Sequence, residues 1–144
     1  MKIAIGSDHA GFDLKEKVRQ NLLGRNIQVV DFGTDSKESV DYPDFGIKVA
    51  RAVASGEVDT GVAVCMTGGG MTIAANKVKG VRAVLCLNKE MAFYARSHND
   101  ANVMTLSQKY VDEKNLDEII DAWLETKFEG GRHFRRLDKI KAIE

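Results

Sequence analysis

The feature that most restricts this chain is its regular alternation of short apolar runs with longer segments of helical period. Lys2–Gly6 (KIAIG), Ile27–Phe32 (IQVVDF), Thr60–Cys65 (TGVAVC), Val81–Leu87 (VRAVLCL) and Val103–Leu106 (VMTL) read as strands. Between them, Phe12–Leu23, Asp44–Ser55, Met71–Val78, Lys89–Ser97 and Asn115–Lys127 read as helices, and Arg132–Ile143 as a closing helical tail. Gly24, Gly56 and Gly80 stand where three of these helices should stop. Thr60–Cys65 is apolar enough to be buried on both faces, as a central parallel strand must be. Strand–helix alternation of this kind specifies an α/β fold. The expected form is a doubly wound, Rossmann-like parallel sheet of five strands with helices on both faces. No repeat or low-complexity linker interrupts it, so residues 1–144 are expected to form one domain.

Charge and cysteine usage narrow the class further. Lysine plus arginine equals aspartate plus glutamate at 21 each, so no global field draws the chain to nucleic acid or membrane. Any anion it binds must be held by a local site. No stretch could span a bilayer, and the opening MKIAIGSD is too short in apolar residues for a signal peptide. The two cysteines, Cys65 and Cys86, do not make a secreted disulfide framework, so both thiols are expected free in a reducing, cytoplasmic compartment.

In such sheets, ligands bind beyond the carboxyl ends of the strands. Asp8 and His9 follow the first strand, and Cys65 ends the third. Cys65 is followed by Met66, Thr67, Gly68, Gly69 and Gly70 and then by a helix. Glycines let several N–H groups approach a ligand, and a helix amino terminus favours negative charge on sulfur or oxygen. That combination suits removal of a proton beside a carbonyl, where charge passes onto oxygen in an enediolate. The competing reading is a small buried hydrophobe, the reading adopted for Cys86, which lacks a glycine loop. A cysteine phosphatase would place arginine six residues after the nucleophile, where this chain has Met71. A dinucleotide fingerprint fails at Ile73 and at Leu87-Asn88.

Three other groups carry chemistry. Arg132 and Arg136 stand four apart after Gly130-Gly131, on one face of a helix where they can grip phosphate. Arg135 should point elsewhere, and a solvated basic tail is the competing reading. His9 and His98 can shuttle protons near neutral pH, whereas His133 reads as a structural histidine. The segments Asp8-His9 and His98-Asn99-Asp100 lack a recognised metal-ligand spacing, so neither metal nor cofactor is expected. The histidine turn enters the last strand from its amino end, which places it away from Cys65 within one chain.

IGSDHAGFDLK (Ile5–Lys15), DFGT (Asp31–Thr34), SVDYPDF (Ser39–Phe45), the Cys65 loop, IAANKVKGVRA (Ile73–Ala83), ARSHNDANV (Ala95–Val103) and EGGRHFRR (Glu129–Arg136) run nearly end to end. Together they resemble the ribose-5-phosphate isomerase B family, which also includes galactose-6-phosphate isomerase subunits. The resemblance implies a homodimer with two active sites shared between subunits. Further pairing into tetramers is left open. By matching position, Cys65 would move the proton between C1 and C2, and His98 would open the furanose ring. Thr67 and the N–H groups of Gly68–Gly70 would stabilise the enediolate. Asp8, His9 and Asn99 would bind the sugar, while Arg132 and Arg136 would hold the phosphate. The histidine turn and the arginines would come from the neighbouring subunit.

The chain departs from the family pattern twice. Met66 and Gly69 exchange the usual glycine and apolar residue of the loop, and Lys109 in SQKY stands where many members have arginine near the phosphate. Both changes touch substrate fit. The expected substrate is therefore a phosphorylated sugar, ribose 5-phosphate in the leading reading and allose or galactose 6-phosphate in its rival. A sugar-phosphate-binding module without turnover is the rival from another class, and retention of Cys65, Thr67 and His98 together disfavours it.

Overall fold

The computed structural model describes residues 1–144. The chain runs β1 (Lys2–Ser7), α1 (Phe12–Gly24), β2 (Gln28–Asp31), α2 (Tyr42–Ala54), β3 (Thr60–Cys65), α3 (Gly69–Asn76), β4 (Ala83–Leu85) and α4 (Lys89–Ser97). It continues through β5 (Val103–Ser107), a 3-10 turn at Glu113–Asn115, α5 (Leu116–Glu125) and α6 (Arg132–Lys141). The five strands are all parallel and lie in the order β2-β1-β3-β5-β4. Strand order reverses between β1 and β3, which makes their carboxyl ends the switch point where a ligand fits. The crossover after β3 carries β4 to the far edge, and the last one returns β5 beside β3.

Side chains alternate across the sheet, and the two faces differ in size. Ile3, Ile5, Val62, Val64, Met104 and Leu106 pack with Leu14, Val18 and Leu22 of α1 and with Ile119, Ile120 and Trp123 of α5. The intervening positions carry smaller groups. Ala4 and Val103 meet Val49, Ala50 and Val53 of α2 and Ala75 of α3. Ala63 and Cys65 meet Met71 and Phe45 on that same face. The period-two pattern of β3 thus directs the Cys65 side chain towards α2 and α3.

Most boundaries follow the sequence reading, and the differences have local causes. Helix α2 begins at Tyr42, ahead of the expected Asp44, because Pro43 occupies its first turn, where a missing N–H costs nothing. Helix α1 is not stopped by Gly24, which is its last helical residue. Asn26 takes the left-handed conformation at φ 59°, and the Ile27 N–H closes back on the Leu22 carbonyl at 3.1 Å. Strand β4 is shorter than Val81–Leu87 because it is an edge strand whose leading N–H groups find other partners. The Val81 N–H donates to the Val78 carbonyl, and the Arg82 N–H to the Asn102 side chain. Helix α3 starts at Gly69 rather than Met71, since Gly68 itself makes the turn into it.

Candidate active site

At the carboxyl end of β3, Gly68 adopts φ 79°, and a Cβ there would lie 3.2 Å from the Leu106 backbone. Only glycine meets both conditions without strain. The turn folds the Gly68 N–H back to donate to the Cys65 sulfur at 3.2 Å. Cys65 is buried, 5% exposed as a residue, so negative charge on its sulfur would face a backbone dipole and the amino terminus of α3. The Gly69 N–H donates to the Thr67 hydroxyl at 3.3 Å. Of the N–H groups expected to serve an enediolate, Gly68's is therefore directed at the sulfur and Gly69's at Thr67. Thr67 and Met66 are exposed at the mouth, Met66 by 46%, so the Met66 side chain does not fill this chain's own core.

Next to this loop lies the end of β1. Asp8 is buried and accepts the Gly11 N–H at 2.9 Å, which fixes the start of α1. Gly11 must be small, because a Cβ there would fall 2.6 Å from the Val64 carbonyl oxygen. His9 Nδ1 accepts the Val40 N–H at 3.2 Å, so its Nε2 carries the proton and is available as a donor. Lys15, a 1% exposed lysine, braces this region by bonding Asp31 at 2.7 Å. Asp31 in turn accepts the Gly33 N–H, and the Gly33 carbonyl accepts the Ser7 N–H.

Several supporting residues escaped the sequence reading. The buried Ser107 hydroxyl donates to the Met66 carbonyl at 2.8 Å and accepts the Tyr110 N–H at 2.9 Å. The Gln108 N–H donates to the Cys65 carbonyl and the Lys109 N–H to the Met66 carbonyl, both at 3.0 Å. The turn after β5 is therefore a backbone cradle for the cysteine loop, and it brings Lys109 to the same end of the sheet. Lys109 Nζ lies 5.4 Å from the centre of the Tyr110 ring. The Tyr42 ring sits over Gly70, where a Cβ would meet it at 2.6 Å. Only the first residue of SQKY and the tyrosine of SVDYPDF hinted at these roles.

The other predicted residues gather at the opposite end of the sheet. His98 caps the carboxyl end of α4, and Asn99 and Asp100 turn the chain into the amino end of β5. Arg82 fixes this turn by donating to the carbonyls of Asn99 and Asp100 and to the Asp100 carboxylate. Cys65 pairs in register with Ser107, the far end of β5. The length of β5, about 13 Å at ~3.3 Å per residue, thus separates the two groups within one chain. Arg132 and Arg136 are exposed on α6, whose only buried residues are His133 and Leu137. A groove of ≈ 750 Å³ lies beneath that helix, lined by Val78, Val81 and Val84.

His133 stacks on His98, with ring centres 4.3 Å apart and planes within 19°. Glu129 Oε2 stands 3.7 Å from His98 Nε2 and 3.6 Å from His133 Nε2. Burial, reinforced by His98 and Arg132 and opposed by Glu129, holds the His133 pKa below the ordinary histidine value. These three side chains are also ligand types for a metal, and their candidate atoms lie within 4.8 Å of one another. Cys86, by contrast, is fully enclosed in the α1/α5 core, and burial pushes its thiol up to about 12. It is a core residue, as its lack of a glycine loop suggested.

The comparisons with known proteins converge on one group. The Ribose/Galactose Isomerase family profile matches residues 3–140. The chain is 48% identical to ribose-5-phosphate isomerase B of Escherichia coli over 143 residues, covering 99% of this chain and 96% of that one. The solved ribose-5-phosphate isomerase B of Clostridium thermocellum matches at TM-score 0.97 and 52% identity, covering 99% of this chain and 97% of that one. The Mycoplasma genitalium enzyme, solved with bound ribulose-5-phosphate, matches at TM-score 0.94 and 42% identity, covering 99% and 95%. The chain belongs to the Ribose/Galactose Isomerase family. No helix is long and apolar enough to cross a membrane.

Proposed function

We propose that this protein is an aldose–ketose isomerase interconverting ribose 5-phosphate and ribulose 5-phosphate, with Cys65 as the proton-transferring group. The observation that carries the reading is the buried Cys65 sulfur, held by the Gly68 N–H at the switch point of the sheet. After ring opening, the thiolate takes the C2 proton of the open-chain aldose, and electron density moves onto the carbonyl oxygen as an enediolate. The thiol then returns the proton to C1 while the C2 hydroxyl proton passes to the C1 oxygen and C2 becomes the ketone, so no oxidant or reductant is needed. Thr67 and the amino end of α3 stabilise the enediolate oxygens. Asp8 and His9 orient the sugar, with Met66, Gly69 and Gly70 lining the mouth. His98 opens the ring by acid–base transfer, Asn99 binds sugar hydroxyls, and Lys109, Arg132 and Arg136 hold the phosphate.

The two sets belong to different ends of the sheet, so the working site joins Cys65 of one subunit to His98, Asn99, Arg132 and Arg136 of a second. The exposed Phe134 and Ile140 on α6, with Ile143 just beyond it, support a homodimer, since this helix buries little within its own chain. A six-carbon sugar phosphate is a second reading, favoured by open space at Gly69, where a Cβ would meet only the Thr67 hydroxyl at 3.6 Å. Isomerisation of five- and six-carbon aldose phosphates, with and without a chelator, tests the assignment. Turnover of ribose 5-phosphate unaffected by chelation is expected. Binding without turnover of any sugar would leave only a binding module.

A further inference from the structure

We infer that His133 is a positioning residue for ring opening: its buried imidazole, stacked on His98 beside Glu129, holds the His98 ring in one orientation. The inference rests on the isomerase reading above and on His98 as its ring-opening group. Of the residues on α6, His133 and Leu137 alone are buried, and His133 is the one carrying a polar ring. That ring is directed at His98, not into an apolar core. It lies 4.3 Å from His98 on one side, and Tyr94 approaches the same imidazole at 4.8 Å and 54°. His98 thus meets two aromatic rings at the carboxyl end of α4. The Glu129 N–H ties the approach to α6 to the Ser97 carbonyl at 2.9 Å, so the segment bearing Glu129 and His133 is fastened beside His98.

The distances from Glu129 to the two Nε2 atoms, 3.7 Å and 3.6 Å, are longer than a hydrogen bond. The carboxylate therefore stands beside both rings without locking either Nε2 in a hydrogen bond. A proton shuttle has to take a proton from the anomeric hydroxyl and deliver one to the ring oxygen, so ring orientation matters more than affinity. Two stacked imidazolium rings would repel. Burial, His98, Arg132 and Arg136 all act to keep His133 neutral against the pull of Glu129. The neighbouring ring is then uncharged when His98 takes up its proton.

The test separates ring chemistry from proton transfer between carbons. Ribose 5-phosphate is mainly a closed furanose, whereas ribulose 5-phosphate has no free 5-hydroxyl with which to close. Forward turnover needs ring opening, while exchange of the ribulose 5-phosphate C1 proton with deuterated water does not. His133→Ala is expected to lower kcat on ribose 5-phosphate by about 10²-fold, the scale for a misplaced catalytic group. Its C1 exchange should stay within about threefold of wild type. His133→Phe keeps a flat ring and should restore most of the lost kcat. If His133→Ala does not fold, His133→Gln, too flexible to stack, carries the same comparison. Equal losses in both reactions, no loss in either, or failure of the phenylalanine to rescue would overturn the inference. Absence of wild-type turnover would instead defeat the isomerase reading itself.

Discussion

The two ends of the sheet are built differently. At the carboxyl end, the Cys65 loop is fastened from several directions by backbone bonds from Gln108 and Lys109 and by the Ser107 hydroxyl. At the amino end, Arg132 and Arg136 stand exposed on a helix resting on His133 and Leu137. The difference is what the proposed division of labour requires. A group that removes a carbon-bound proton gains from preorganisation within one chain. Groups that grip the phosphate and open the ring are carried on a surface that a second copy can present.

The sharpest way to break this comparison is to remove the group at the rigid end. Cys65→Ala is expected to lower solvent-deuterium incorporation at C2 by about 10⁴-fold, the upper range for a lost acid–base group, while phosphate-dependent binding persists. Isotope exchange followed by mass spectrometry checks it, and appreciable exchange by the mutant would rule the thiol out. Cys86→Ala should keep near-wild-type turnover, because its thiol is enclosed in the core.

The next effect belongs to the exposed end. Arg132→Ala or Arg136→Ala should raise KM for the sugar phosphate about 10–100-fold, since a charged hydrogen bond is worth about 1.5–3 kcal/mol. Mixed dimers of a Cys65→Ala chain with an Arg132→Ala chain sharpen the point. One of their two sites then regains both groups, so about half the wild-type activity per dimer should return. Folded mixed dimers without activity would place both ends in a single-chain site, against the geometry described here.

Met66 tests whether the rigid end also sets substrate choice. It is half-exposed at the mouth of the loop, so Met66→Gly should shift the ratio of kcat/KM between five- and six-carbon sugar phosphates by about tenfold, within the ~1–3 kcal/mol of a changed apolar contact. An unchanged ratio with an altered Tm would make it a contact between subunits only.

The smallest expected effect is on stability. Because the His133 pKa is lowered in the folded chain, the folded state binds fewer protons there than the unfolded state. Its contribution is present above the ordinary value of 6.5 and is lost as pH falls through that value towards the folded pKa. Tm should therefore drop on acidification through this window, and His133→Phe should flatten the drop. A wild-type Tm that rises on acidification would contradict the assigned direction unless other groups account for it, which the mutant curve decides.

The sequence by itself determined the strands, the helices and the residues able to do chemistry, because periodicity and glycine placement are local properties. Thr60–Cys65 and Lys89–Ser97 match their expected bounds. Cys65 could be singled out because its glycine loop is contiguous in the chain, whereas His98, Arg132 and Arg136 owe their expected roles to the family resemblance, since residue type and spacing alone suit a structural histidine and a solvated basic tail equally. Strand order was another matter. The placement of β5 between β3 and β4 depends on which crossovers bury most apolar surface, a property of the whole packed sheet. Only that order sets Ser107 against Cys65 and separates His98 from both along β5. Tertiary packing likewise made His133 a neighbour of His98, since Glu129–His133 and Ala95–His98 lie some thirty residues apart and meet only where α6 docks beside α4.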